Sequence, residues 1–289
     1  MPTPVLVKGL SELAPRYPAL ICDVWGVVHN GRRAFEPACA ALARYRQDGG
    51  AVVLLSNSPR PRASFTEQMR ELGVPDTAWD AVATSGDATR ELLKTRAPGP
   101  VLAVGPPRDA PFYEGLQLEF VEDPGAAAVI SCTGLYDDEA DTPEDYRPLF
   151  QRALAGGLEM VCANPDRVVQ RGRQMIPCAG ALADVYEAMG GKVLMAGKPH
   201  APIYELACRE LTATLGRTPA ASEILAVGDG IPTDVLGANG QGFDLLFIVA
   251  GIHARELRDG SGGLDPARIE RLLALAGAHA RYATGELRW

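Results

Sequence analysis

The sequence predicts an α/β protein built on a mostly parallel sheet. Two observations carry that prediction: short, continuous apolar runs recur along the 289 residues, and segments with helical patterning separate them. The runs are "ALICDV" (19–24), "AVVLLS" (51–56), "VLAVG" (101–105), "AAAVIS" (126–131), "EMVCAN" (159–164), "EILAVG" (223–228) and "LLFIVA" (245–250). Runs of this length without alternation suit strands buried on both faces. After the first run, "PACAALARYRQDG" places Ala38, Ala41, Leu42 and Tyr45 at helical spacing, and Gly49 marks the stop. After the second, Pro61 in "SPRPRASF" reads as the first turn of a helix, a plainer account of the segment than a phosphate-binding role for Arg60 and Arg62. Gly86 and "CAGALADVYEAMGG" then bracket a block with its own alternation of strand and helix, which predicts a second unit inserted into the first. Within it, Tyr136 to Tyr146 forms an acidic, turn-rich loop around Pro143, either a solvated face or a contact for an amine or sugar hydroxyls.

Composition narrows the function. The formal net charge of -8 disfavours nucleic acid and anionic membrane as partners, so an anionic small ligand needs a local site of opposite sign. Six scattered cysteines without a C-x-x-C pair, and no secretory leader, predict reduced thiols in a cytoplasmic protein. The longest apolar run, Leu245 to Ile252, is far short of the roughly 20 residues a membrane helix needs.

Open parallel sheets bind ligands beyond the carboxyl ends of their strands. That rule selects Asp23, Ser56 with Asn57, Asn164 and Asp229, each following an apolar run. With Lys198 in "AGKPHAPIY" and Asp234 in "VGDGIPTD", they fit one mechanism. A carboxylate attacks a phosphoryl group and divides one hard step into two. Its repulsion with an anionic substrate is offset by a lysine and a divalent cation, for which Asp229 and Asp234 offer hard oxygens. The Ser56 hydroxyl and neighbouring backbone N–H groups hold the phosphoryl oxygens. Taken singly, each residue is also what a helix cap or a turn contains.

The order D-x-x-G-V (Asp23), S-N-S (Ser56), G-K-P (Lys198) and G-D-x-x-x-x-D (Asp229, Asp234) resembles the haloacid dehalogenase (HAD) superfamily of phosphotransferases, within it the class IIA or NagD-like phosphatases. "ATSGDAT" (83–89), "ANPD" (163–166) and "GALADVYEAMGGK" (180–192) have counterparts there. The resemblance implies a Rossmann-like core over 1–85 and 183–289, with a large α/β cap of the C2 type inserted over 86–182. It implies Asp23 as nucleophile and Mg²⁺ ligand, the main-chain carbonyl of Trp25 and the carboxylates of Asp229 and Asp234 as further ligands, and Ser56 and Lys198 on the phosphate. Trp25, Asn57, Ser58 and, from the cap, Asn164 are the implied substrate contacts. The expected activity is Mg²⁺-dependent hydrolysis of a small phosphorylated metabolite: a sugar phosphate, a nucleotide, pyridoxal phosphate or phosphoglycolate. Caps of this class often mediate dimers, so a homodimer is implied as well.

One position departs from the pattern. Two residues after the nucleophile, where the phosphatases carry an Asp that shuttles protons, stands Trp25. An indole N–H donates a hydrogen bond but carries no proton to and fro at neutral pH, and general acid–base catalysis is worth about 10² to 10⁴ in rate. Three readings follow: a phosphatase using an activated leaving group or another proton carrier (His29, Asp87, Asn164 or His200), a dehalogenase-like hydrolase, and an impaired phosphate-ligand binding or regulatory protein. Trp25 is read as a wall of the cleft, with a core-filling aromatic as the plainer alternative. His253 and His279 lie outside any motif and read as surface or capping residues.

Overall fold

Seven strands form the sheet of the first unit: β1 (Val5–Leu6), β2 (Ala19–Asp23), β3 (Ala51–Ser56), β4 (Ala81–Thr84), β11 (Ile224–Gly228), β12 (Asp244–Ile248) and β13 (Tyr282–Thr284), in the order β1-β13-β12-β11-β2-β3-β4. The computed structural model describes residues 3–171, 174–249, 257–259 and 262–289; Ala250, at the end of the last expected strand, and His253 lie outside the described residues. Every residue of β2, β3 and β11 is buried, so these strands are covered on both faces, as their unbroken apolar runs require. The pairings of β11 with β2, β2 with β3, and β11 with β12 are all parallel.

In chain order the α-helices among the described residues are α1 (Glu36–Gln47), α2 (Arg62–Glu71), α3 (Ser85–Lys94), α4 (Arg147–Ala155), α5 (Ala179–Ala188), α6 (Ala201–Leu215), α7 (Leu236–Gln241) and α8 (Pro266–Leu275). The expected spacing in α1 is realised: Ala38, Ala41, Leu42 and Tyr45 are buried, joined by Cys39.

The second unit has its own parallel sheet, β10 (Lys192–Met195), β7 (Glu159–Cys162), β6 (Val129–Cys132) and β5 (Val101–Val104), in that order, and an antiparallel hairpin, β8 (Val168–Arg171) with β9 (Gln174–Pro177). Alternate strand residues feed two cores. Leu102, Val104, Ile130, Cys132, Met160 and Cys162 pack with Phe150 of α4 and Leu182 and Tyr186 of α5. Val101, Val129 and Val161 point the other way, onto Leu93 of α3 and Phe112. A period of two with helices on both faces is the doubly wound plan. The first unit comprises Met1–Ser56, Thr66–Ala83 and Tyr204–Trp289, and the second Asn57–Phe65 and Thr84–Ile203. The family resemblance implies a cap that ends at 182. The sheet carries the second unit further, because β10 pairs with β7 in register from Lys192↔Glu159 to Met195↔Cys162. Lys198 follows β10 and so belongs to the second unit.

Candidate active site

Strand register sets the first part of the site. Asp23, the last residue of β2, pairs with Leu55, so Ser56 stands one residue further along the neighbouring strand. On the other side Val227 pairs with Cys22, and Asp229 therefore leaves β11 just beyond the level of Asp23. Asp23, Asp229 and Asp234 each offer a carboxylate oxygen, and these oxygens lie within 4.8 Å of one another. Asp23 and Asp234 are buried. Two unit charges about 4 Å apart repel by roughly 4 kcal/mol at an effective dielectric near 20, so three gathered carboxylates call for a cation. Their hard oxygens are the donor type that Mg²⁺ and Ca²⁺ prefer.

Glycines make the convergence possible. Gly26 has φ +92°, and a Cβ there would overlap Asp229 Oδ2, so the loop after Trp25 closes on the carboxylate only because residue 26 has no side chain. Asp234 lies in a single π-helical turn, Ile231–Val235, at a strand exit where such turns often mark function. Its Oδ2 accepts the Gly230 N–H at 3.0 Å, which fixes the carboxylate.

In the second unit, Lys198 is held by its backbone. Its N–H donates to Asn57 Oδ1 at 2.7 Å, and its carbonyl accepts from Asn57 Nδ2 at 3.2 Å. The same Nδ2 donates to Asp166 Oδ1 at 2.8 Å. Gly197 clears the approach, since a Cβ there would crowd Asn57 Oδ1, Ser85 Oγ and Pro165. Asn57, expected as a substrate contact, thus spends its amide on Lys198 and Asp166.

Trp25 is not a core-filling aromatic: its side chain is 42% exposed, whereas Val24 and Val28 beside it are buried. The indole meets the ring of His29 edge-on, with centroids 5.3 Å apart and planes at 74°. His29 is itself buried, and its Nδ1 accepts the Gly31 N–H at 2.9 Å. Burial pushes the imidazole down to about 4, so it is neutral at pH 7 with its proton on Nε2. Gly31, at φ +77°, lies under the six-membered ring of the indole, where a Cβ would overlap Cη2.

Comparison with known proteins agrees with this geometry. The family model for haloacid dehalogenase-like hydrolases matches residues 20–119, and a second HAD-hydrolase-like model matches 195–271. The crystal structure of a haloacid dehalogenase-like hydrolase from Brucella suis 1330 is 46% identical, covers 98% of this chain and 100% of its own, and superposes with a TM-score of 0.85. The chain belongs to the haloacid dehalogenase superfamily. The glycerol-3-phosphate phosphatase of Gallus gallus is 29% identical, over 86% of this chain and 85% of its own. The ribonucleotide monophosphatase NagD of Escherichia coli K12 is 26% identical, over 81% and 88%. This HAD protein is therefore a NagD-like, class IIA hydrolase of the phosphatase type.

The remaining expected residues of this HAD hydrolase fall into place differently. Ser56 is buried at the end of β3. Ser58 accepts the Arg60 N–H through its hydroxyl at 3.2 Å, and Asn164 accepts the Asp166 N–H through Oδ1 at 3.0 Å, so both shape their own loops. Asp87 accepts the Arg62 N–H at 3.1 Å at the start of α2; burial raises its carboxyl and the Arg62 guanidinium opposes that rise. His200 is lowered by burial. In the acidic loop, Asp137, Asp141 and Asp145 accept backbone N–H groups of the loop itself, and Asp138 pairs with Arg108. Sequence reasoning gave no role to Asp166, Gly26 or Gly31. Asp166 closes the quoted "ANPD" and Gly26 stands in D-x-x-G-V, but what each touches is seen only once Asn57 and Asp229 are in position, as the indole is for Gly31.

Proposed function

We propose that this HAD hydrolase removes phosphate from a small phosphate monoester through an aspartyl phosphate on Asp23, with Mg²⁺ held by Asp23, Asp229, Asp234 and the main-chain carbonyl of Trp25. The observation that carries the proposal is the convergence of the three carboxylates at the ends of β2 and β11. Bound Mg²⁺ supplies the positive charge that lets an anionic nucleophile approach an anionic phosphoryl group. An Asp23 oxygen bonds to phosphorus as the ester oxygen departs, and water then cleaves the phospho-aspartate. Ser56 and Lys198 hold the phosphoryl oxygens, and Asn57 keeps Lys198 in place. The names of the relatives point to nucleoside monophosphates and glycerol phosphate as the size of substrate. Six cysteines without a disulfide accord with a reducing compartment such as the cytoplasm, and no described helix is long and apolar enough to cross a membrane.

A second reading, a phosphate-ligand binding protein, is favoured by Trp25 alone. A dehalogenase reading fits less well, because a halide leaving group has no use for the metal pair Asp229 and Asp234. Phosphate release with Mg²⁺ over a panel of metabolite and aryl phosphates, for wild type beside Asp23→Asn, decides between them. Turnover that Asp23→Asn abolishes supports the hydrolase; no Asp23-dependent turnover on any phosphate hands the site to the binding protein.

A further inference from the structure

We infer that the phosphoryl group removed at Asp23 is carried on a planar, conjugated leaving group, a phenolic, enolic or carboxylic oxygen, which docks on the exposed indole of Trp25. The inference rests on the phosphatase reading above and specifies its substrate class.

Three observations converge on residue 25. It is two positions beyond the nucleophile and adjoins Gly26, the residue pressed against Asp229, so it stands at the rim of the carboxylate cluster. Its indole is exposed while Val24, Val27, Val28 and His29 of the same turn are buried. That exposed ring is also fixed. His29 meets it edge-on, and Gly26 N–H bonds to the His29 carbonyl at 2.8 Å, tying the two ends of the turn together. Gly31 supplies a seat that any side chain would fill. A tryptophan that merely covered the surface would need no such seat; a rigid apolar plate borne two residues after the nucleophile offers a docking surface for a flat group.

The chemistry agrees. An Asp23 oxygen forms a bond to phosphorus, the bond from phosphorus to the leaving oxygen breaks, and the electron pair stays on that oxygen. Indole gives it no proton, so the group departs as an anion and takes its proton from water afterwards. Anions that leave unaided are delocalised over a planar framework, which is the shape that stacks on Trp25. Water then attacks phosphorus, the Asp23 carboxylate is regenerated, and both protons of the water leave with the phosphate.

The test compares 4-nitrophenyl, phenyl, benzyl and glycerol phosphates for wild type, Trp25→Phe, Trp25→Leu and Trp25→Asp, each checked for folding by thermal melting. Wild type is expected to lose about 10²-fold or more in kcat/KM from the aryl to the alkyl esters, the share a general acid ordinarily supplies. Trp25→Leu should raise KM for phenyl phosphate about 3- to 10-fold more than it raises KM for glycerol phosphate, and Trp25→Phe should restore most of the difference. Trp25→Asp should flatten the dependence on leaving group. As a readout apart from turnover, phenyl phosphate should quench tryptophan fluorescence in Asp23→Asn, and the quench should vanish in Asp23→Asn/Trp25→Leu. Asp23-dependent turnover that is equally fast on alkyl and aryl esters overturns the inference and leaves the phosphatase reading standing. A Trp25→Leu effect equal on both ester classes also overturns it. Absence of any Asp23-dependent turnover overturns both.

Discussion

Asn57 and Lys198 are bound to each other through both backbone polar groups of the lysine, although 141 residues separate them in sequence. A single side-chain amide thereby sets the position of a buried cation. Asn57→Ala leaves the Lys198 N–H and carbonyl without these partners, which should cost about 1–3 kcal/mol of stability. The freed lysine should lower kcat/KM about 10²-fold, the scale of a displacement near 1 Å. Urea melts and initial rates check both, and an unchanged rate in a folded variant would show that other contacts hold Lys198.

A metal held by the carboxylate cluster, as proposed, should make stability depend on it. A cation that binds only the folded chain at about 100 times its Kd adds roughly 2.7 kcal/mol. Wild type should therefore melt at higher temperature with Mg²⁺ than with a chelator, and chelation should abolish turnover. Asp229→Asn should erase most of the Mg²⁺ response in calorimetry.

Gly26→Ala tests the close approach to Asp229. The substitution meets a positive φ, costing about 1–2 kcal/mol, and also overlaps the carboxylate oxygen. The expected outcome is a folded protein with a weakened Mg²⁺-induced shift in Tm. A shift equal to that of wild type would mean that the carboxylate can retreat and still bind.

His29 gives a signed pH dependence. The unfolded chain takes up a proton near pH 6.5 and the folded chain near 4, so between these values the unfolded state binds more protons. The stabilisation is complete above pH 6.5 and is lost as the pH falls toward 4, up to about 3 kcal/mol. Urea midpoints at pH 7.5 and 4.5 should fall less for His29→Gln than for wild type; equal falls would assign the acid sensitivity to other groups.

By itself the sequence determined the α/β class and the elements that carry the site. β2, β3 and β11 are buried on both faces, so their apolar runs are unbroken and visible, and α1 shows its buried stripe at helical spacing. The same local pattern placed Asp23, Ser56 and Asp229 at strand exits, because an apolar run breaks where its strand ends on polar groups, even though Asp23 and Ser56 stay buried there. Other elements left little trace: β1 has two residues and β13 three, and β10 is only partly buried, so its composition is mixed and its pairing with β7 decides where it belongs. Tertiary structure alone decided three further points: Asn57 serves Lys198, Gly26 yields to Asp229, and Trp25 faces solvent on a seat made by His29 and Gly31. Periodicity reports whether a position is buried, whereas these relationships depend on which distant or neighbouring groups meet there, and only the folded chain brings those groups together.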